Sequence, residues 1–137
     1  MNIDKYIIDI KEQMDLEKND IHEVLMKIDD ICINIIDNMH KETGELNDLE
    51  NDLNKLKKES LEYYLFDSNE DIFSLLKSKT DREILMYSTE SLNALERKIN
   101  DKKRNIRSLE DLKKQVSSIK TTVKTIIEYQ NFINGTI

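Results

Sequence analysis

Basic residues followed by aromatic ones are the side chains of this sequence whose type and spacing best suit a ligand. Lys55, Lys57 and Lys58 precede the pair Tyr63 and Tyr64. Lysines neutralise phosphates and tyrosine rings stack on unpaired bases, so this pattern is typical of proteins that bind single-stranded nucleic acid. The alternative for the two tyrosines is packing at the end of a helix.

A second basic cluster lies in the last third of the chain. Residues 1–54 carry five lysines against fifteen acidic residues, whereas residues 97–137 carry ten basic residues against four acidic ones. The densest part of this cluster contains Lys102, Lys103, Arg104 and Arg107. Repeated around an oligomer, these residues would form a positive track for a phosphate backbone. The alternative is a solvated face whose charges pair with the acidic first half.

Catalytic motifs are absent from the sequence. It has no glycine-rich phosphate loop, no GxSxG, no HExxH and no CxxC. His22 and His40 are about five helical turns apart, so one helix does not bring them to a common metal ion. The single cysteine, Cys32, falls in an apolar stripe and reads as a core residue. We therefore predict a protein that binds and assembles, without enzymatic activity, metal or cofactor.

The elements that must position the basic residues are two long amphipathic helices. Between Ile21 and Tyr63, thirteen positions follow one another at alternating steps of four and three residues. Eleven of these thirteen residues are apolar or aromatic. A similar seam runs from Leu85 to Gln130. This heptad spacing is typical of a helix that packs a narrow stripe against another helix. The sequence has no proline and only two glycines, so few helix breakers interrupt these stripes.

The pattern predicts one all-α domain over residues 1–137. Two long helices joined by a connector predict an antiparallel hairpin or coiled coil with short accessory helices. The predicted segments are an amphipathic helix over 1–18, a long helix over 20–65, a connector with a short helix over 66–79, and a second long helix over 80–132. No segment approaches the roughly 20 apolar residues of a membrane span, and no signal peptide is evident, so we expect a cytoplasmic protein that does not enter a membrane.

A second apolar stripe predicts self-association. A hairpin buries only one seam on each helix, so this stripe would stay exposed in a single chain, and exposed apolar surface of that length indicates a homo-oligomer. The stripe consists of Val24, Ile31, Ile36 and Leu112. The predicted oligomer interface consists of Ile28, Ile31, Ile35, Leu109, Leu112, Val116, Ile119 and Val123.

Two segments of the chain resemble a known family. The stretch from Asn38 to Tyr64, NMHKETGELNDLENDLNKLKKESLEYY, resembles the UvsY-like recombination mediators of T-even-type bacteriophages. In that family a helix with a similarly placed histidine runs into basic residues and then L-D/E-Y-Y. The closing helix is also similar, with Lys120 followed by Ile126 and Gln130 at matching intervals. Total length agrees as well.

The resemblance implies a closed homo-oligomeric ring of six or seven subunits, in the host cell cytoplasm if the chain is phage-encoded. It implies binding to single-stranded DNA, to a phage recombinase (UvsX-like) and to the phage single-strand-binding protein, which the recombinase replaces. Lys58 occupies a DNA-contacting position of the family, whereas Ser60 stands where the family has arginine. The alternative function is a structural coiled-coil scaffold or adaptor without DNA binding.

Overall fold

The computed structural model describes residues 2–62 and 90–135. All regular structure in this part of the chain is helical and none of it is strand, which confirms the all-α prediction. The helices are α1 (Ile3–Gln13), α2 (Ile21–Glu62) and α3 (Glu90–Ile133). The predicted connector, the paired tyrosines and the predicted start of the second long helix near Thr80 lie outside the described residues.

Helix α1 is shorter than the predicted segment 1–18, because polar side chains end it. The side-chain amide of Asn19 donates to the carbonyls of Glu12 at 2.7 Å and Asp15 at 3.0 Å. The Asp15 carboxylate in turn accepts from the backbone N–H of Glu17 at 2.9 Å. The last carbonyls of a helix need such partners, and Asp and Asn favour turns because they supply them. Helix α2 then begins at Ile21, one residue after the predicted start of the long helix at residue 20.

The chain groups into two compact units. The first unit consists of Met1–Glu42 and Asn105–Ile137, and the second of Thr43–Arg104. Helices α2 and α3 each contribute residues to both units. Within the described helices, none has a stretch long and apolar enough to cross a membrane.

The first unit has a core shared by three helical segments. Helix α1 and the turn after it supply Ile10 and Met14, which share one core with three of the four residues of the second stripe, Val24, Ile31 and Leu112. The prediction that this stripe stays exposed in one chain is therefore wrong: Val24 and Leu112 are 1% and 2% exposed. The buried residues of this core are Ile10, Met14, Val24, Ile28, Ile31, Ile35, Leu112, Val116 and Val123.

The second unit buries less apolar surface among its described residues. Leu92 and Ile99 of α3 are buried. The seam leucines of α2 are only half-buried, although they continue the same heptad pattern; they are Leu46, Leu49, Leu53 and Leu56.

Candidate nucleic-acid interface

Two lysines of α3 pair with the acidic helix α2. In the second unit the Lys102 ammonium donates to the Glu45 carboxylate. In the first unit Lys120 Nζ donates to Asp29 Oδ1 at 2.6 Å. This hydrogen bond, together with the attraction between the charges, lowers the pKa of Asp29 and raises the pKa of Lys120. For these two residues, the structure shows the pairing with the acidic first half that the sequence left as an alternative.

Two arginines of α3 are held by their own helix instead. Arg104 Nη2 lies 3.4 Å from the carboxylate of Asp101, and both side chains are largely exposed. Arg97 Nε donates to the backbone carbonyl of Asn93 at 3.4 Å. Contacts within one turn of an exposed helix are weak, so both guanidinium groups remain accessible to a ligand.

The other basic residues of α3 face solvent. They are exposed, and they form no salt bridge with the described part of the chain. An exposed cation without a protein partner keeps its full capacity to bind an anion. These residues are Lys98, Lys103, Arg107, Lys113, Lys114 and Lys124.

The predicted cluster on α2 is divided between two environments. Lys55 and Lys58 are exposed and three residues apart, so they share one face of the helix. Lys57 is half-buried and already takes part in a polar interaction. Tyr63 and Tyr64 lie beyond the described end of α2. The structure therefore brings together two of the three lysines, Lys55 and Lys58.

Within the second unit, Lys102 of the α3 cluster is far from Lys58 of the α2 cluster. Lys102 lies opposite Glu45, and Lys58 is thirteen residues further along α2. At 1.5 Å per residue, this separation is about 20 Å along the helix axis. A ligand that contacts both clusters must therefore be extended. Lys103 and Arg104 belong to the second unit and Arg107 to the first.

The predicted oligomer interface lies in the core of the single chain. Six of its eight residues belong to that core and Ile119 is half-buried against it, while Leu109 is also buried in the single chain. These residues are already covered within one chain, so the expected exposed apolar surface no longer supports an oligomer interface at these positions. Among the residues that the structure describes, the large apolar side chains left exposed in one chain are Ile8, Met26, Ile33, Tyr129, Phe132 and Ile133.

One group of residues that the sequence interpretation did not select lies in the first unit. Side chains of α2 and α3 line a shallow depression there. The available signal was two lysines followed, four residues later, by two serines, which a helix places side by side. The lining residues are Met39, Glu110, Lys113, Lys114, Ser117 and Ser118.

The two histidines and the cysteine of the described residues do not come together at a common metal site. His22 and His40 are exposed, and Cys32 packs against the core of the first unit. No group of three potential metal ligands comes together in residues 2–62 and 90–135. Glu42, which occupies a seam position, is 3% exposed and takes part in a polar interaction. The chemistry that the candidate interface offers is anion binding by exposed lysine and arginine side chains.

Comparisons of the chain with protein-family models, with curated proteins and with solved structures gave no match.

Proposed function

We propose that this protein is a recombination mediator that binds single-stranded DNA and helps load a phage recombinase in place of single-strand-binding protein. The observation that carries the proposal is the set of exposed, unpaired basic side chains on α3, in a chain whose net charge is −7. An acidic protein that keeps such cations on one helix has separated its charges, and a local positive surface attracts polyanions whatever the net charge. The resemblance to UvsY-like mediators supplies the biological role.

The proposal includes a specific architecture. In the first unit Asp29 of α2 meets Lys120 of α3, whereas Met39, ten residues later, lies beside Lys113 and Lys114. This order of contacts is what an antiparallel hairpin requires. The half-buried leucines of the second unit and the exposed apolar side chains support self-association. The ring of six or seven subunits comes from the resemblance alone.

The proposed mediator acts by binding, without catalysis, in the cytoplasm of a host cell. Its work is to hold the DNA strand while the recombinase replaces the single-strand-binding protein. A mixture of that recombinase, DNA coated with the binding protein, and this chain should assemble recombinase filaments faster than the mixture without it.

Fluorescence polarisation of labelled oligo-dT tests DNA binding. We expect binding at 50 mM salt and release as salt rises, with a log–log slope of about −0.7 for each phosphate neutralised. Reversing the charge at Lys55 and Lys58 should weaken binding at least about tenfold, because both ammonium groups are exposed on one face. A matched control, reversal at the exposed Lys5 and Lys18, changes net charge equally and should weaken binding less.

Native mass spectrometry with and without oligo-dT separates this function from the second candidate, a structural coiled-coil scaffold. The half-buried seam leucines of the second unit favour that candidate, since they suit assembly and require no DNA. A mediator should form oligomers that gain the mass of oligo-dT. Intact oligomers that gain none, with unchanged polarisation at 50 mM salt, would sink the DNA-binding proposal and favour the scaffold.

A further inference from the structure

The first unit covers one side of α3 with α1 and leaves the other side open. Ile7 and Lys11 of α1 lie beside Ser108, Leu112 and neighbouring residues of α3. The α3 residues that line the depression with Met39 project about 100–160° away from Leu112 around the helix axis. No α1 residue lines this depression.

The two sides of α3 differ in chemistry as well as in cover. On the α1 side, Leu112 is 2% exposed and belongs to the apolar core. On the open side the α3 lining is entirely polar, and only Met39 of α2 is apolar. A lining of ammonium and hydroxyl groups does not suit an apolar helix, because burying those groups without partners costs free energy. It does suit an anion, which can accept hydrogen bonds from all of them.

Helical spacing aligns the donors of this site. Lys113 and Ser117 are four residues apart, as are Lys114 and Ser118, so each lysine lies one turn from a serine. The two lysines form no salt bridge, and the two serine hydroxyls form no hydrogen bond, with the described residues. Glu110 lies at the opposite end from the serines along α3, and its negative charge directs an anion towards Ser117 and Ser118.

We infer that this depression is a contact site for the phosphodiester backbone of single-stranded nucleic acid. Lys113 and Lys114 each neutralise a phosphate, and Ser117 and Ser118 donate hydrogen bonds to phosphate oxygens. The half-buried side chain of Met39 provides an apolar contact for a sugar or base. The inference rests on the proposed function and adds to it a site on α3 that neither the heptad pattern nor the resemblance indicated.

Arg107 extends the same surface within the first unit. It is exposed and seven residues before Lys114, which places the two side chains on one face about 10 Å apart along the axis. An extended strand that reaches both would therefore contact more than one phosphate, and each neutralised phosphate strengthens the salt dependence of binding.

The double substitution Lys113→Gln and Lys114→Gln tests the site by oligo-dT polarisation across a salt series. Losing two phosphate contacts should weaken affinity about tenfold and reduce the magnitude of the log–log slope by about 1.4. The control Lys5→Gln and Lys18→Gln removes the same charge from exposed lysines that lie outside α3 and outside the depression. This control should leave the slope nearly unchanged.

A second variant, Ser117→Ala and Ser118→Ala, removes donors without changing charge. We expect it to weaken oligo-dT binding about threefold at constant salt while the slope stays the same, because only charged contacts release counterions. Circular dichroism should show wild-type helix content for all these variants, since every substituted side chain is exposed. A polarisation curve that both α3 variants leave at the wild-type position would overturn the site.

The outcomes separate this inference from the proposed function. Wild-type protein that fails to bind oligo-dT at 50 mM salt overturns both. Wild-type protein that binds, and that loses binding on charge reversal at Lys55 and Lys58 but not on substitution of Lys113 and Lys114, overturns the α3 site alone. Inorganic phosphate is a further probe. If millimolar phosphate fully occupies the depression without displacing oligo-dT, the depression is a site for free anions, and the inference is overturned.

Discussion

The two compact units follow one heptad pattern but bury it to different extents. In the first unit α1 lies over the paired segments of α2 and α3, and seam residues such as Ile28 and Ile35 are 0% exposed. In the second unit the described seam leucines of α2, including Leu49 and Leu53, are half-buried. A two-helix seam covers one stripe on each helix, whereas a third helical segment covers a second stripe.

This difference changes where self-association should be sought. The predicted interface residues, Ile35 and Val116 among them, are already buried by their own chain. Apolar surface that remains partly accessible lies in the second unit's seam and at exposed side chains such as Met26 and Ile33. If copies associate, these surfaces are the ones that gain from it.

The largest expected effect of a substitution is in the first unit. Ile35→Ala should lower the free energy of unfolding by about 2–5 kcal/mol, because it leaves a cavity in a fully buried core. Ile33→Ala, two residues away on the same helix, removes a side chain that is 58% exposed and should change stability little. Urea titration followed by circular dichroism measures both. Equal destabilisation by the two variants would show that the first unit is not closed as described.

A smaller effect is expected in the second unit. Leu53→Ala should cost about 1–2 kcal/mol in one chain, since a half-buried leucine gains only part of the free energy of full burial. If this seam also packs between copies, the loss should depend on protein concentration, which it should not for Ile35→Ala. Thermal melts at several concentrations measure that dependence. A Leu53→Ala shift that is the same at every concentration would argue against an interface in the second unit.

Periodicity predicted the helices well because it reports directly on helix faces. The step pattern from Ile21 onwards predicted α2, which begins at Ile21, and no described residue of that seam is exposed. Asp15 and Asn19 carry the turn chemistry that separates α1 from α2, although the sequence interpretation extended α1 too far. Local signals of this kind depend on residues within one or two turns of each other.

Contacts between distant residues were beyond the sequence. The docking of Met14 beside Val24 depends on how a short helix folds back, and periodicity carries no information about that. The sequence also could not show which basic residues of α3 are paired and which are exposed. The pairing of Lys120 with Asp29, for example, depends on the register between α2 and α3. Charge counts also could not show that Met39 of α2 lies beside the exposed Lys113.

Helix propensity provides a smaller test in the second unit. Gly44 lies inside α2, and a Cβ added there meets no heavy atom within 4 Å. Gly44→Ala should therefore raise the free energy of unfolding by about 1 kcal/mol, because glycine loses more backbone entropy in a helix. Gly135→Ala is the contrasting variant: its φ of +66° favours glycine, so alanine should be strained there. Urea titration of both variants should give opposite signs, and a destabilising Gly44→Ala would indicate a bend that α2 needs.

The smallest expected effect concerns the Asp29–Lys120 pair of the first unit. The pKa of Asp29 lies below its usual 3.8, so the pair's contribution to stability is present above that value and is lost as pH falls through the lowered pKa. The pKa of Lys120 lies above its usual 10.5, so the same contribution is present below that value and is lost as pH rises further. Asp29→Asn should therefore reduce stability by a small, nearly constant amount from about pH 5 to 10, because solvent screens an exposed pair.

The difference between wild type and Asp29→Asn should shrink towards zero in strong acid and in 1 M salt. Asp30→Asn is the matched control, since Asp30 is exposed and forms no salt bridge with the described residues. Urea titrations at pH 3, 7 and 10 measure the three proteins. A difference for Asp29→Asn that persists unchanged in 1 M salt would mean that packing, and not charge, holds α3 against α2 at this point. The distinction between basic residues of α3 that pair with α2 and those that stay exposed would then have no electrostatic basis.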